Sequence, residues 1–210
     1  DRMNTISPVN LMDRTVTAGA GAITQNIQQA ARDADLFYPV DFASSGSSQI
    51  GGNIATNAGG INVIRYGMTR EWVAGLTVVT GKGEVLELNK GLMKNNTGLD
   101  FRHLFIGSEG ILGFITEATL KLTAPPKDPT VLVLGLSDMS AIMAVLDRIQ
   151  STTPLLAYEF FSELAVSKVV DHAGVARAFE TRTPFYALVE FERENDMTDT
   201  HVFEALEQCM

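Results

Sequence analysis

The chain has 210 residues, 45% of them hydrophobic, with a formal charge of −9 and one cysteine. That is enough apolar content for one substantial core or two modest ones, and the negative charge argues against nucleic acid or an anionic membrane as partner, since both need a positive face. No apolar run approaches the roughly 20 residues of a membrane span, no signal peptide is recognisable, and Cys209 alone makes neither a disulfide nor a cysteine metal site, so a cytoplasmic location is expected.

Residues 14–20 read as a strand, after which Ile23, Ile27, Ala30, Ala31 and Ala34 recur at helical spacing. The β-rich runs 72–80 and 84–88 flank Gly81-Lys82-Gly83, a link of hairpin length, and 112–122 continues the sheet. Pro125 and Pro126 mark a change of texture and the expected domain boundary, giving pieces 1–125 and 126–210. Beyond them come a strand at 130–136, a helix at 139–149, a strand at 155–161, a helix at 163–172, a strand at 185–191 and a helix at 198–208. Met139, Met143 and Leu146 are spaced as a core stripe of the first of these helices. The expected fold class is α+β, with an antiparallel sheet backed by helices in the second piece.

The most informative stretch is Ile50-Gly51-Gly52-Asn53-Ile54-Ala55-Thr56-Asn57-Ala58-Gly59-Gly60, preceded by Ser44-Ser45-Gly46-Ser47-Ser48. Paired glycines remove side chains where backbone approaches a ligand, and the bared N–H groups can donate to phosphate or to an electron-rich ring. On composition alone this is either a flexible glycine-serine loop or a cradle for a large anionic cofactor. Ile50 and Ile54 at helical spacing favour the ordered form, a short helix whose N-terminus faces an anion.

The order of residues narrows this further. Pro39-Val40-Asp41, Gly46-Ser47, residues 50–60 and Arg65-Tyr66-Gly67 together resemble the vanillyl-alcohol-oxidase type of FAD domain. Lys94-Asn95-Asn96-Thr97-Gly98, Asp100, Gly107-Ser108-Glu109-Gly110-Ile111-Leu112-Gly113 and Ile115-Thr116-Glu117-Ala118 are similar to the D-lactate and D-2-hydroxyglutarate dehydrogenase group, which takes in glycolate-oxidase-like flavoproteins. The resemblance covers nearly all of 1–125. It is thinner over 130–210, where Tyr158-Glu159-Phe160-Phe161 and residues 185–190 match segments of the group's substrate domain. Phe42-Ala43 and Leu99 depart from the pattern, in which many members have Pro-Gly and a tyrosine.

The resemblance implies non-covalent FAD, with the diphosphate held largely by backbone amides and the isoalloxazine between an FAD domain and a substrate domain. On matching positions Pro39, Gly46, Ser47, Gly51, Gly52, Asn53, Asn57 and Gly60 would line the FAD, with Glu109, Gly110, Gly113 and Ile115 closing it. Gly59 would share the backbone contact of Gly60. Arg65 and Lys94 are substrate-side candidates, a solvent-facing role being the alternative. The implied reaction is oxidation of a D-2-hydroxy acid of the D-lactate, D-2-hydroxyglutarate or glycolate type, by hydride transfer to flavin N5. Electrons would pass to a quinone, a cytochrome or an electron-transfer protein, which allows a location peripheral to a membrane. Alternatives are an oxidase of the same fold using oxygen and a non-catalytic FAD-binding component of a larger complex. The family's first phosphate-binding loop would precede Asp1 and its histidine-rich catalytic motif would follow Met210. Residues 1–125 are then expected to be a partial FAD-binding domain and 126–210 a partial substrate (cap) domain, with the general base downstream. The chain alone is expected to be empty of FAD, inactive and prone to self-association.

Three competing signals are weaker. Gly19-Ala20-Gly21 after a strand invites a dinucleotide fingerprint, but Thr24 stands where its third glycine should be. His103, His172 and His201 lack metal-ligand spacing and read as structural or surface residues, so no metal is expected. Asp100, Arg102 and Glu109 read as helix-terminus and salt-bridge residues shaping the loop into Gly107.

Overall fold

The computed structural model describes residues 2–193 and 198–207. Contacts divide the chain into two compact units, 1–125 and 126–210. Among the described residues no helix is long and apolar enough to cross a membrane.

In the first unit β1 (Thr15–Gly19) is followed by α1 (Thr24–Arg32), the short helices α2 (Ile50–Ala55), α3 (Val63–Tyr66) and α4 (Thr69–Trp72), and then β2 (Val73–Val79) and β3 (Val85–Leu88). A further short helix, α5 (Arg102–Phe105), precedes β4 (Phe114–Lys121). The sheet has the order β1-β4-β2-β3, all antiparallel. The β2–β3 hairpin turns through Gly83 at φ 80°, whose N–H donates to the Thr80 carbonyl. Trp72 ends α4 instead of opening the strand, because its indole N–H reaches back to the Tyr66 carbonyl at 2.8 Å.

One irregularity positions the site. The β2–β4 register shifts between Thr77 and Val78, which leaves Thr116 as an extra residue on β4. The shift explains why Ile115 and Ala118, three apart in a strand, both reach the core. It also turns the Thr116 carbonyl outward to accept from Ala20 N–H at 2.8 Å, tying the end of β1 to the bulge. Ile27 and Ala31 of α1 and Ile50 and Ile54 of α2 are buried with Val16, Ala18, Val78 and Leu120 of the sheet. Tyr38 is buried in the same core with no partner for its hydroxyl among the described residues, and burial pushes that hydroxyl's pKa well up.

The second unit runs β5 (Pro129–Leu136), α6 (Met139–Gln150), β6 (Leu155–Ser162), α7 (Glu163–Ala173), β7 (Phe185–Glu192) and α8 (Thr198–Glu207). Strand order is β5-β7-β6, with β7 antiparallel to both neighbours. Phe185, Ala187, Val189 and Phe191 alternate onto the face that α6 and α8 cover, as the period of a strand requires. The methionine stripe expected on α6 is corrected. Met139 is 55% exposed and Met143 63%, whereas Ile142, Val145 and Ile149 are buried. Both sets have helical spacing, and the set with β-branched side chains faces the sheet. Asp138 caps α6, its carboxylate accepting from the N–H groups of Ser140 and Ala141, and the Ser140 hydroxyl, then the Ala141 amide, hold its pKa below the usual range. The last expected helical residue, Gln208, and Cys209 lie outside the described residues.

Candidate functional site

A cleft of about 490 Å³ opens in the first unit between the start of the chain, the turn after β1, the outer side of α2 and the segment leading into β4. Its size lies in the range of small-molecule sites. The N-terminal wall is held by backbone pairing: Gly21 N–H donates to the Met3 carbonyl at 2.7 Å and Gly19 N–H to Thr5 at 2.9 Å. The opposite wall is α2, which turns Ile50 and Ile54 into the core and leaves Gly51 and Gly52 at the cleft.

The two glycines of that wall are not equivalent. A Cβ on Gly51 would stand 2.6 Å from the Ala20 side chain, so this glycine is required by contact with the end of β1. A Cβ on Gly52 would meet nothing within 4 Å, so no contact among the described residues requires its absence. The helix N-terminus is partly used already: Ile50 and Gly51 donate to the carbonyls of Ala22 and Ala20, while the Gly52 N–H finds no acceptor among the described residues. The expected anion-facing helix start is thus reduced to one amide.

The third wall is the turn at 107–110. Gly107 N–H donates to the Ile54 carbonyl at 3.0 Å and Glu109 N–H to Ala55 at 2.8 Å, so the turn caps the C-terminal end of α2. Gly107, Glu109 and Gly110 all have positive φ, and Gly110 faces open space. Of the residues named from sequence, Gly51, Gly52, Glu109, Gly110, Gly113 and Ile115 line the cleft. The Gly52 amide on one side and the apolar Phe114 and Ile115 on the other suit a group that joins phosphate to an aromatic ring.

The other six named residues lie away from the cleft. Pro39 is buried, its carbonyl accepting from the Asn62 amide. Gly46 and Ser47 are exposed on a turn that supplies the Ser45 and Ser48 carbonyls to the N–H groups of Gln25 and Thr24. These bonds fill the N-terminus of α1, where a dinucleotide fold would place its pyrophosphate. The Asn53 side chain is buried and donates to the Thr24 hydroxyl at 2.5 Å. Asn57 accepts from the Arg70 N–H at 3.0 Å. A Cβ on Gly60, at φ 141°, would stand 2.1 Å from the Asp41 carbonyl, so that glycine serves a close approach of the chain to itself. Arg65 on α3 and Lys94 in the 89–101 loop are exposed and outside the cleft lining.

Sequence reasoning missed Arg2, Met3, Gln49 and Phe114 of the lining. They carry no glycine or motif signal, and only the pairing of residues 3–6 with β1 brings Arg2 and Met3 there. It also missed Arg70, whose guanidinium donates to the carbonyls of His103 at 2.9 Å and Ile106 at 2.5 Å and meets His103 Nδ1 at 3.1 Å. Asp100 pairs with Arg102 at 2.5 Å, which holds its carboxyl below the usual range, and Arg102 also donates to the Val73 and Ala74 carbonyls. His103 stands within this network, while His172 and His201 are exposed on α7 and α8.

Residues 1–89 match the FAD binding domain model and residues 125–210 the model for the C-terminal domain of FAD linked oxidases. A protein of Stutzerimonas stutzeri named D-2-hydroxyglutarate dehydrogenase is 55% identical over all 210 residues, and one of Xanthomonas citri with the same name is 49% identical. This chain spans 45% and 44% of their respective lengths. A solved alkyldihydroxyacetonephosphate synthase superposes with a TM-score of 0.78 at 22% identity, covering 99% of this chain and 42% of that one, and shares the fold. Both of its units are thus matched, in order, by the two domain models of FAD-linked oxidases, and FAD is the cofactor those models name.

Proposed function

We propose that the protein to which this chain belongs oxidises a D-2-hydroxy acid, with D-2-hydroxyglutarate the first substrate to test. The observation that carries the proposal is the cleft wall at Gly52 and Gly110, where backbone faces space that no side chain of the described residues fills. The named relatives at 55% and 49% identity support the substrate class. FAD bound there supplies a hydride acceptor.

The role of this chain's own residues is to bind and orient. The Gly52 N–H is positioned to donate to an acceptor in the cleft, the 107–110 turn fixes its width, and Phe114 and Ile115 give an apolar floor that excludes water. Residues 1–125 serve as part of the FAD-binding domain and 126–210 as part of the substrate domain. Arg2, exposed at the mouth, offers the cleft a cation.

The test is turnover by the full-length protein, followed with an artificial dye under anaerobic conditions and with oxygen alone. Oxidation of D-2-hydroxyglutarate or D-lactate with dye, and slow reaction with oxygen, is expected of a dehydrogenase. Equal rates with oxygen would identify an oxidase, and purified flavoprotein that turns over no 2-hydroxy acid would overturn the proposal.

A further inference from the structure

The wall of the cleft formed by the 107–110 turn has little side-chain packing of its own to hold it, since Gly107 and Gly110 carry no side chain, Glu109 is exposed and Ser108 is only half-buried. Two backbone bonds tie it to the end of α2, from Gly107 to Ile54 and from Glu109 to Ala55, and a brace secures it from behind. Arg70 leaves α4, whose second amide is capped by Asn57 from the end of α2, and its guanidinium bonds both the His103 and Ile106 carbonyls, immediately before the turn. A Cβ on Gly107 would stand 3.4 Å from both the guanidinium and the Asn57 side chain, so the turn lies against the brace. Arg70 thus joins the end of α2, through its backbone N–H to Asn57, to the segment 103–106, through its guanidinium, and Gly52 and Gly110 line the same cleft.

We infer that Arg70 is a positioning residue for the cofactor: it holds the 107–110 turn at the distance from α2 that lets both walls contact one ligand. This rests on the reading of the cleft as the FAD site. A planar guanidinium meets two carbonyls and an imidazole at once, whereas an ammonium on a flexible stem reaches fewer of them in one geometry. A supporting contact loosened by an ångström leaves a site present but weakened.

The experiment uses the full-length holoprotein, stripped of flavin and titrated with FAD while flavin fluorescence is followed. Arg70→Ala is expected to raise the FAD Kd about tenfold or more, and Arg70→Lys to give an intermediate value. Val189→Ala, in the other unit, serves as a control for general destabilisation and is expected to leave the Kd unchanged at a comparable loss of Tm. If Arg70→Ala does not fold, Arg70→Lys decides. A raised Kd at near-normal Tm supports the inference, and a Kd within twofold of wild type overturns it. Wild-type protein that binds no FAD would instead sink the reading of the cleft, so the two failures are distinguishable.

Discussion

The first unit is irregular in its backbone and the second in its side chains. Every described residue at left-handed φ except Asp128 and Gly174 lies before Pro125, whereas the densest ionic network lies after it. There Glu163 accepts from Arg177, Ser167 and the Tyr186 hydroxyl, with Arg182 3.7 Å away, and Tyr186 is stacked between Phe161 and Phe179. A backbone that must bend toward a ligand or toward itself demands glycine and asparagine at fixed places, and such demands survive as a motif. A network of long side chains closes only through the fold and leaves none.

The largest expected effect tests whether the first unit's glycines answer to the chain or to the ligand. Gly60→Ala puts a Cβ against the Asp41 carbonyl at φ 141° and is expected to cost above about 3 kcal/mol in urea unfolding of the full-length protein. A normal midpoint would show that Asp41 moves freely.

The next effect tests packing in the second unit. Ile149→Ala should lose about 2–5 kcal/mol, whereas Met143→Ala should stay within about 0.5. The reverse order would restore the methionine stripe as the core face of α6. A smaller loss, ~1 kcal/mol, is expected for Asp138→Ala, which removes two capping bonds from α6, and a urea midpoint unchanged from wild type would dismiss the cap.

The last effect is a pH dependence. The Arg177 guanidinium, then the Tyr186 hydroxyl, hold the Glu163 pKa at about 2, below its ordinary 4.5. A depressed carboxylate adds stability that is complete above its unfolded pKa and lost as pH falls through its folded one. The stability gap between wild type and Glu163→Gln should therefore hold near neutrality, shrink as pH falls below about 4.5 and close near about pH 2. A gap unchanged down to about pH 3 contradicts the network's ionic character.

Much of the fold was legible in the sequence because periodicity carried it. The alternation of 185–191 and the run from β5 to α8 follow from apolar spacing, and the hairpin at Gly81-Lys82-Gly83 from turn chemistry. The α6 stripe was misread at Met139 and Met143, though Leu146 does pack against the core, because the expected set shares one period with Ile142, Val145 and Ile149, and only the sheet distinguishes them. At the site, glycine density pointed to the right segment but not to the right glycines. Gly51 and Gly60 are glycine for intrachain contacts, and nothing in their spelling separates them from Gly52. Arg2 and Arg70 were illegible because their partners are carbonyls and strand neighbours far along the chain.

The central claim is that Gly52 is bare for a ligand and not for the fold, and substitution there tests it most directly. Full-length Gly52→Val is expected to purify with a near-normal Tm and far-UV circular dichroism, because a Cβ there meets no atom of the described residues within 4 Å, and to lack the visible flavin absorbance of wild type. Retention of stoichiometric FAD with normal absorbance by that variant would contradict the account.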